Sequence, residues 1–406
     1  MIFLLFSWLN ELMNEKLNPL LTAIEDPPID EVQQWIRGRA FPEDKPFIDL
    51  SQALPSYPPA AELRNHMAEL VVDPTMSGYT EIGGIPELKE AYAGEVSQFY
   101  QTRVSSEEVF ITAGCNQAFF LSMLTLGKAG DEVILPAPYY FNHRMTLEML
   151  GMTPVLLPCR PKTGMLPEVD IAEMLITPQT RGIVLVTPNN PSGTVYPSGL
   201  IEDFYRLAQA KGLHLILDET YRDFLNPEQG LPHHLLNLSW QENLVQLYSF
   251  SKSFALAGYR IGAITASSEF LKELVKVMDC AAICAPKLAQ RSALYALMHL
   301  HDWLEEKKHL MNLRAESFRQ HFQENNRSRF RLCTLGPCFA YIRHSEVGET
   351  AYEVAKKLAL NENLLLLPGS MFGPNQDSFL RIAFANVEME RFPEMMTRFK
   401  NFAPEN

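Results

Sequence analysis

The chain lacks most of the marks that assign a protein to a class at first sight. Its six cysteines (Cys115, Cys159, Cys280, Cys284, Cys333 and Cys338) form no CxxC pair, so neither zinc-ligand spacing nor a secreted disulfide framework is suggested, and a reducing cytoplasm is expected. No Lys/Arg run is present, and 35 basic against 48 acidic residues give a net charge of -13, which makes nucleic acid an unlikely partner class. No apolar stretch approaches the roughly 20 residues of a membrane span. The apolar run Met1–Leu9 has no basic residues before it and no small-residue cleavage site after it, so no membrane partner is expected. Met13 opens a polar segment that would be an ordinary start, and residues 1–12 are expected to be an over-called start or a loose arm. No Gly-x-Gly-x-x-Gly follows a first strand and no HExxH occurs, which argues against a nicotinamide dehydrogenase and a catalytic metal. No period of 20 to 50 residues repeats, which excludes solenoids and propellers.

What is present is a globular composition, 47% hydrophobic and 20% charged over 406 residues, long enough for two to three domains at about 150 residues each. Seven short apolar runs rich in β-branched residues begin at Val109, Asp131, Thr153, Gly182, Leu213, Leu244 and Ile261. Helix-period segments lie between several of them, at 116–126, 141–150, 168–175 and 198–211. This alternation predicts an α/β fold, a mostly parallel central sheet covered by helices on both faces. Past residue 290 come long helices over 288–299 and 302–325, then short strands near 338–343 and 379–383, which predict a smaller α+β domain. The expected division is an N-terminal arm over 1–60 that joins the small domain, a large domain over 61–290 and the small domain proper over 291–406.

In an open parallel sheet, ligands bind where strand C-termini, loops and helix N-termini gather. Polar or aromatic residues follow five of the strands: Gly114, Cys115 and Asn116; Tyr139 and Tyr140; the run from Thr187 to Gly193; Asp218 to Tyr221; and Ser249 to Lys252. Together with Tyr79–Leu88, Gly258–Gly262 and Leu380–Phe384, these segments resemble, in order and spacing, the class I/II aminotransferases among the fold-type-I pyridoxal-phosphate enzymes. The resemblance covers nearly the whole chain.

It implies the cofactor pyridoxal 5'-phosphate and a set of residue roles. Most lysines are solvated surface residues, but Lys252 follows an apolar strand and matches the Schiff-base lysine, which also shuttles a proton once released. Asp218 ends a strand, where a lone carboxylate is costly unless paired, and matches the partner of the pyridine nitrogen. Tyr221 and Asn190 match donors to the cofactor's phenolate oxygen. Gly114, Cys115 and Asn116 open a helix whose N–H groups suit a phosphate, and Ser249 and Arg260 match its hydroxyl and guanidinium contacts. Tyr79 matches a phosphate contact supplied by a neighbouring subunit, which implies a homodimer with shared active sites. Tyr140 matches the residue stacked on the ring, with Tyr139 one position away. Arg381 matches the two-pronged anchor of the substrate α-carboxylate, a geometry lysine cannot give. Thr187 stands where many relatives have Asn, and Ala53 where relatives have Gly. Ala53 is expected to touch substrate through its backbone and to bear on specificity.

The implied activity is transfer of an α-amino group from an amino acid to a 2-oxo acid, with amino acid and oxo acid as the small-molecule partners. A carbon–sulfur β-lyase of the same fold would use the same Lys252, Asp218 and Arg381. A non-catalytic cofactor-binding regulator is more distant, because no helix-turn-helix precedes the core. Ser249–Lys252 and Lys162–Gly164 also spell the S-x-x-K and K-T-G of serine β-lactamases, but in reversed order, and with Ser249 after a strand rather than opening a helix.

Overall fold

The computed structural model describes residues 17–226, 230–324, 329–345 and 348–402; residues 1–12 lie outside these. The seven apolar runs form one sheet. Its strands are β2 (Val109–Thr112), β3 (Glu132–Ala137), β4 (Thr153–Pro158), β5 (Thr180–Val186), β6 (His214–Asp218), β7 (Leu244–Ser249) and β8 (Gly262–Thr265), in the order β2-β8-β7-β6-β5-β3-β4. All pairings between β7 and β4 are parallel, and β8 runs antiparallel to both β2 and β7. The central strands read as unbroken apolar runs because helices cover both faces. One of these helices, Ser198–Lys211, buries Ile201, Phe204, Tyr205 and Ala208 on one stripe and ends at Gly212, whose φ of 65° places it in the left-handed region that favours glycine.

One apolar core runs from Ala60 to Leu300 and takes in this sheet. The helix Lys287–His299 contributes Ala289, Ala293 and Ala296 to it, so residue 290 falls inside an element of this core. A second core joins Ile48 and Leu50 to residues between Phe318 and Phe402. It packs on an antiparallel sheet of β9 (Phe330–Leu335), β10 (Phe339–His344), β12 (Leu367–Pro368) and β13 (Phe379–Ala383), ordered β12-β13-β10-β9. The N-terminal strand β1 (Ile48–Asp49) pairs in parallel with β11 (Leu364–Leu365), and Leu50 accepts the Ala383 N–H. The residues that follow, Ser51 to Leu54, are thereby held across the C-terminal ends of the parallel strands. Among the described residues no helix is long and apolar enough to cross a membrane.

Candidate active site

Between the two cores, at the C-terminal ends of β5, β6 and β7, lies a cleft of about 440 Å³. Ala53, Cys115, Asn116, Tyr140, Asn190, Asp218, Tyr221, Ser249, Lys252, Arg260 and Arg381 all line it. Two residues singled out from the sequence do not. Gly114 is the N-cap immediately before Cys115, and Tyr79 is 77% exposed on the surface, away from its own chain's cleft.

Lys252 sits on the single helical turn Phe250–Ser253 that follows β7. Its Nζ donates to the Ala53 carbonyl at 2.7 Å and lies 6.0 Å from the centre of the Tyr221 ring. Burial, with the cations Arg381 and Arg260 nearby, draws the ammonium down to about 8, although Cys338 opposes the shift. Asp218 closes β6 and is buried. Burial alone would raise its carboxyl, but His143 Nε2 at 3.3 Å from Oδ2, with Thr220 donating to Oδ1 through N–H (3.0 Å) and hydroxyl (2.7 Å), outweighs it and leaves the group below the usual range.

Arg381, from the middle of β13, is 2% exposed. It donates to Asn190 Oδ1 at 3.0 Å and to the Ser51 carbonyl, while its Nε has no partner. Its guanidinium lies 5.1 and 5.0 Å from the centres of the Phe339 and Phe372 rings. Burial draws it down to about 10. Among the described residues no carboxylate comes within ion-pair distance of Arg381; Asp49 acts on it only from further away. A buried cation solvated by carbonyls and rings is a receptor for an anion that arrives from outside.

A second anion site is built at the N-terminus of Cys115–Leu126. Gly114 has φ 87°, and a Cβ there would meet the guanidinium of Arg260, with Cζ at 2.9 Å. The missing side chain thus lets a cation sit over the positive end of a helix, an arrangement that is repulsive until an anion lies between them. Ser249 and Ser251 complete the rim, the first accepting from the second's N–H at 3.3 Å. Hydroxyls, a guanidinium and free helix N–H groups are the donor set of a phosphate dianion. Among the described residues no group of three His, Cys, Asp or Glu side chains could hold a metal ion.

The aromatic wall is Tyr140. Its hydroxyl donates to Asn116 Oδ1 at 3.4 Å and accepts from Asn142 at 3.0 Å. Tyr139 faces the core at 4% exposure and stays outside the cleft. Thr187 also stays outside; its hydroxyl accepts the Tyr196 N–H at 3.0 Å and braces the turn. Lys162 and Thr163 lie in a separate short turn and do not line the cleft with Ser249.

Several residues in or behind the cleft went unnoticed in the sequence. His143 is buried, stacks on Phe119 at 4.0 Å and faces Asp218 from the helix Phe141–Met149; its spacing from Tyr140, one helical turn away, was the available signal. Thr220 and Ser251 are visible within the motifs already named. Gln52 and Leu54 flank Ala53 in the matched segment Ile48–Pro55, whereas Ile29, Phe141 and Phe339 reach the cleft only through the fold.

Comparison with known proteins adds an independent line. The family model for aminotransferase class I and II matches residues 45–399. An aromatic aminotransferase of Arabidopsis thaliana is 30% identical over 351 residues, covering 84% of this chain and 86% of its own length. An aspartate aminotransferase of Pyrococcus horikoshii is 27% identical, covering 82% and 85%. In three dimensions the chain resembles the aspartate aminotransferase of Thermus thermophilus with maleate, at a TM-score of 0.86, 23% identity, and 95% and 98% coverage, which establishes the shared fold.

Proposed function

The chain belongs to the class I and II aminotransferases and is a transaminase, and from that premise we propose that its cleft binds pyridoxal 5'-phosphate and uses it to move an α-amino group between an amino acid and a 2-oxo acid. The observation that carries this reading is the convergence in one cleft of a buried, anion-seeking Arg381, an acidified Lys252 and an ionised Asp218. When bound, the cofactor supplies a carbonyl to which amines attach and a cationic ring that withdraws the charge left by a departing α-proton. Ser249, Ser251, Arg260 and the N–H groups of Cys115 and Asn116 would hold its phosphate, and the space kept open by Gly114 fits that group. Asp218, kept ionised by His143 and Thr220, would hold the protonated ring nitrogen. Tyr140 would cover one ring face. Tyr221 would donate to the ring oxygen, and Asn190, whose Oδ1 already accepts from Arg381, would offer its amide N–H₂ there as well.

Lys252 would anchor the resting cofactor and, once displaced by the incoming amine, take the α-proton and return it at the neighbouring carbon. Its lowered pKa brings the neutral, basic form within reach of neutral pH. The Ala53 carbonyl aims Nζ in the meantime. Arg381 grips the α-carboxylate and fixes the Cα–H bond relative to that base.

The aminotransferase names of the relatives favour amino-group transfer over β-elimination. The test is to add single amino acids to the cofactor-loaded protein without any oxo-acid acceptor. One equivalent of oxo acid per site with no ammonia supports transamination; continuing ammonia release identifies a lyase and overturns it. We further propose a cytoplasmic homodimer in which the exposed Tyr79 reaches the partner's phosphate site. Mixing inactive Lys252→Ala with a weakened Tyr79→Phe protein should raise activity above the sum of the two; simple additivity would reject the shared site.

A further inference from the structure

The family names leave the donor amino acid open, since one relative is called aromatic and another aspartate aminotransferase. The cleft's own chemistry narrows it. Among the described residues its basic groups are Lys252, Arg260 and Arg381, and each is committed: Lys252 to the reacting carbon, Arg260 to the phosphate rim, Arg381 to the α-carboxylate. No fourth cation lines the space that remains.

That space is walled by Ile29, Leu54 and Phe141. Ile29 comes from the short N-terminal helix Pro28–Gln34, which is held in place by the fully buried Val32 against Phe372 and Leu367. Phe141 packs on Phe372 with ring centres 5.6 Å apart, and Phe372 in turn lies against the Arg381 guanidinium. An apolar wall therefore begins directly beside the carboxylate anchor and continues to the mouth. Gln52, which also lines the cleft, is neutral.

Building on the aminotransferase reading above, we infer that the preferred donors are amino acids with uncharged, apolar side chains of at least four heavy atoms, and that Ile29 is a specificity-determining residue for them. A second carboxylate in this space would lose its water and find no counter-charge. A branched, thioether or aromatic side chain would instead displace water from Ile29, Leu54 and Phe141 and gain the transfer free energy of the covered surface. Near Tyr79, the Lys287 ammonium donates to the Thr75 carbonyl at 2.6 Å.

The experiment measures, with cofactor-loaded protein and no acceptor, the second-order rate at which phenylalanine, methionine, leucine, aspartate and glutamate each convert the cofactor's absorption. The expected result is a rate for the apolar donors at least about tenfold above that for aspartate and glutamate. Transamination with aspartate or glutamate equal to or faster than the apolar donors overturns the inference and leaves the aminotransferase reading standing. Failure of every donor, with cofactor demonstrably bound, overturns that reading and this inference with it. A second measurement uses Ile29→Lys, which should shift the phenylalanine-to-aspartate rate ratio toward aspartate by at least about tenfold. An unchanged ratio in a folded, cofactor-binding variant rejects Ile29 as part of the wall.

Discussion

Asp218 and Glu219 are neighbours at the end of β6, and alternation along the strand sends their side chains to opposite faces. On the Asp218 side lie Lys252, Arg260 and Arg381, with no carboxylate within ion-pair distance of any of them among the described residues. On the Glu219 side the charges answer one another. Glu219, fully buried, accepts from the Tyr100 hydroxyl at 2.5 Å and from Gln246, and sits 3.3 Å from His233. Arg222 reaches Glu95 at 2.6 Å and lies 4.4 Å from the centre of the Tyr248 ring. Asp223 accepts from Tyr248 at 2.6 Å and from Ser253, one residue beyond Lys252. Asp218 and Arg381 are buried as deeply as Glu219 and Arg222, so burial alone does not mark function. The mark is ion pairing: on the Glu219 side the cations lie within reach of carboxylates, although atoms such as Arg222 Nη1 find no hydrogen-bond partner, and on the other side the cations have no carboxylate among the described residues, which leaves them to anions that arrive as ligand.

That contrast can be broken by mutation. Lys252→Ala should reduce turnover at least about 10⁴-fold while circular dichroism shows a folded protein; normal turnover would sink the assignment. Arg222→Met, on the Glu219 side, should cost about 3–5 kcal/mol of unfolding free energy in urea by leaving Glu95 and the buried Asp223, 3.6 Å from Arg222 Nε, without their cation, while kcat/KM per folded molecule changes less than about threefold. A stable variant with failed catalysis would invert the comparison. Arg381→Ala should weaken kcat/KM for every amino-acid donor by about 2–5 kcal/mol, with stability little changed because no internal ion pair is lost. Unchanged kinetics would reject it as the carboxylate anchor. Gly114→Ala should lower cofactor affinity by about tenfold in a titration, through left-handed strain and displacement of Arg260.

The smallest expected effect concerns pH. Lys252 is held near 8 in the fold against 10.5 for an ordinary lysine, so the unfolded chain binds more protons between those values. The stability of the cofactor-free protein should therefore gain, relative to Lys252→Met, as pH rises from about 8 to 10.5, and below 8 the penalty is fully present. The gain is on the order of 1 kcal/mol, since the ammonium retains some contact with water. Equal pH profiles would place the ammonium in ordinary solvent.

The large sheet was legible because strands covered on both faces must be apolar throughout, and runs such as Gly182–Val186 carry that signal without help from neighbours. The smaller sheet was only half legible. Its β10 and β13 stood out, but β9 went unread, and β12, like β1 and β11 of the separate two-stranded sheet, has two residues and exists only by pairing across the chain. The cleft shows the same division. Lys252, Asp218 and Arg381 are written into short motifs, while His143 gains its meaning from facing Asp218 across 3.3 Å, 75 residues away in sequence. Which of Tyr139 and Tyr140 faces the cleft is decided by the Tyr139 N–H bonding to the Phe372 carbonyl at 2.9 Å, a contact between distant segments.

The loop that presents Asn190 passes so close to the turn before β10 that neither backbone has room for a side chain. A Cβ on Gly193 would stand 2.6 Å from the Gly336 nitrogen, one on Gly336 would meet the carbonyl carbon of Gly193 at the same distance, and Thr334 Oγ1 donates to the Ser192 carbonyl at 2.6 Å alongside. A side chain at either place would meet the other glycine's backbone, so the two positions, some 140 residues apart, have to be kept small together. A chimaera that brings a bulkier residue to either place is expected to break this seam. For anyone building chimaeras from this scaffold, that contact sets where the chain can be cut.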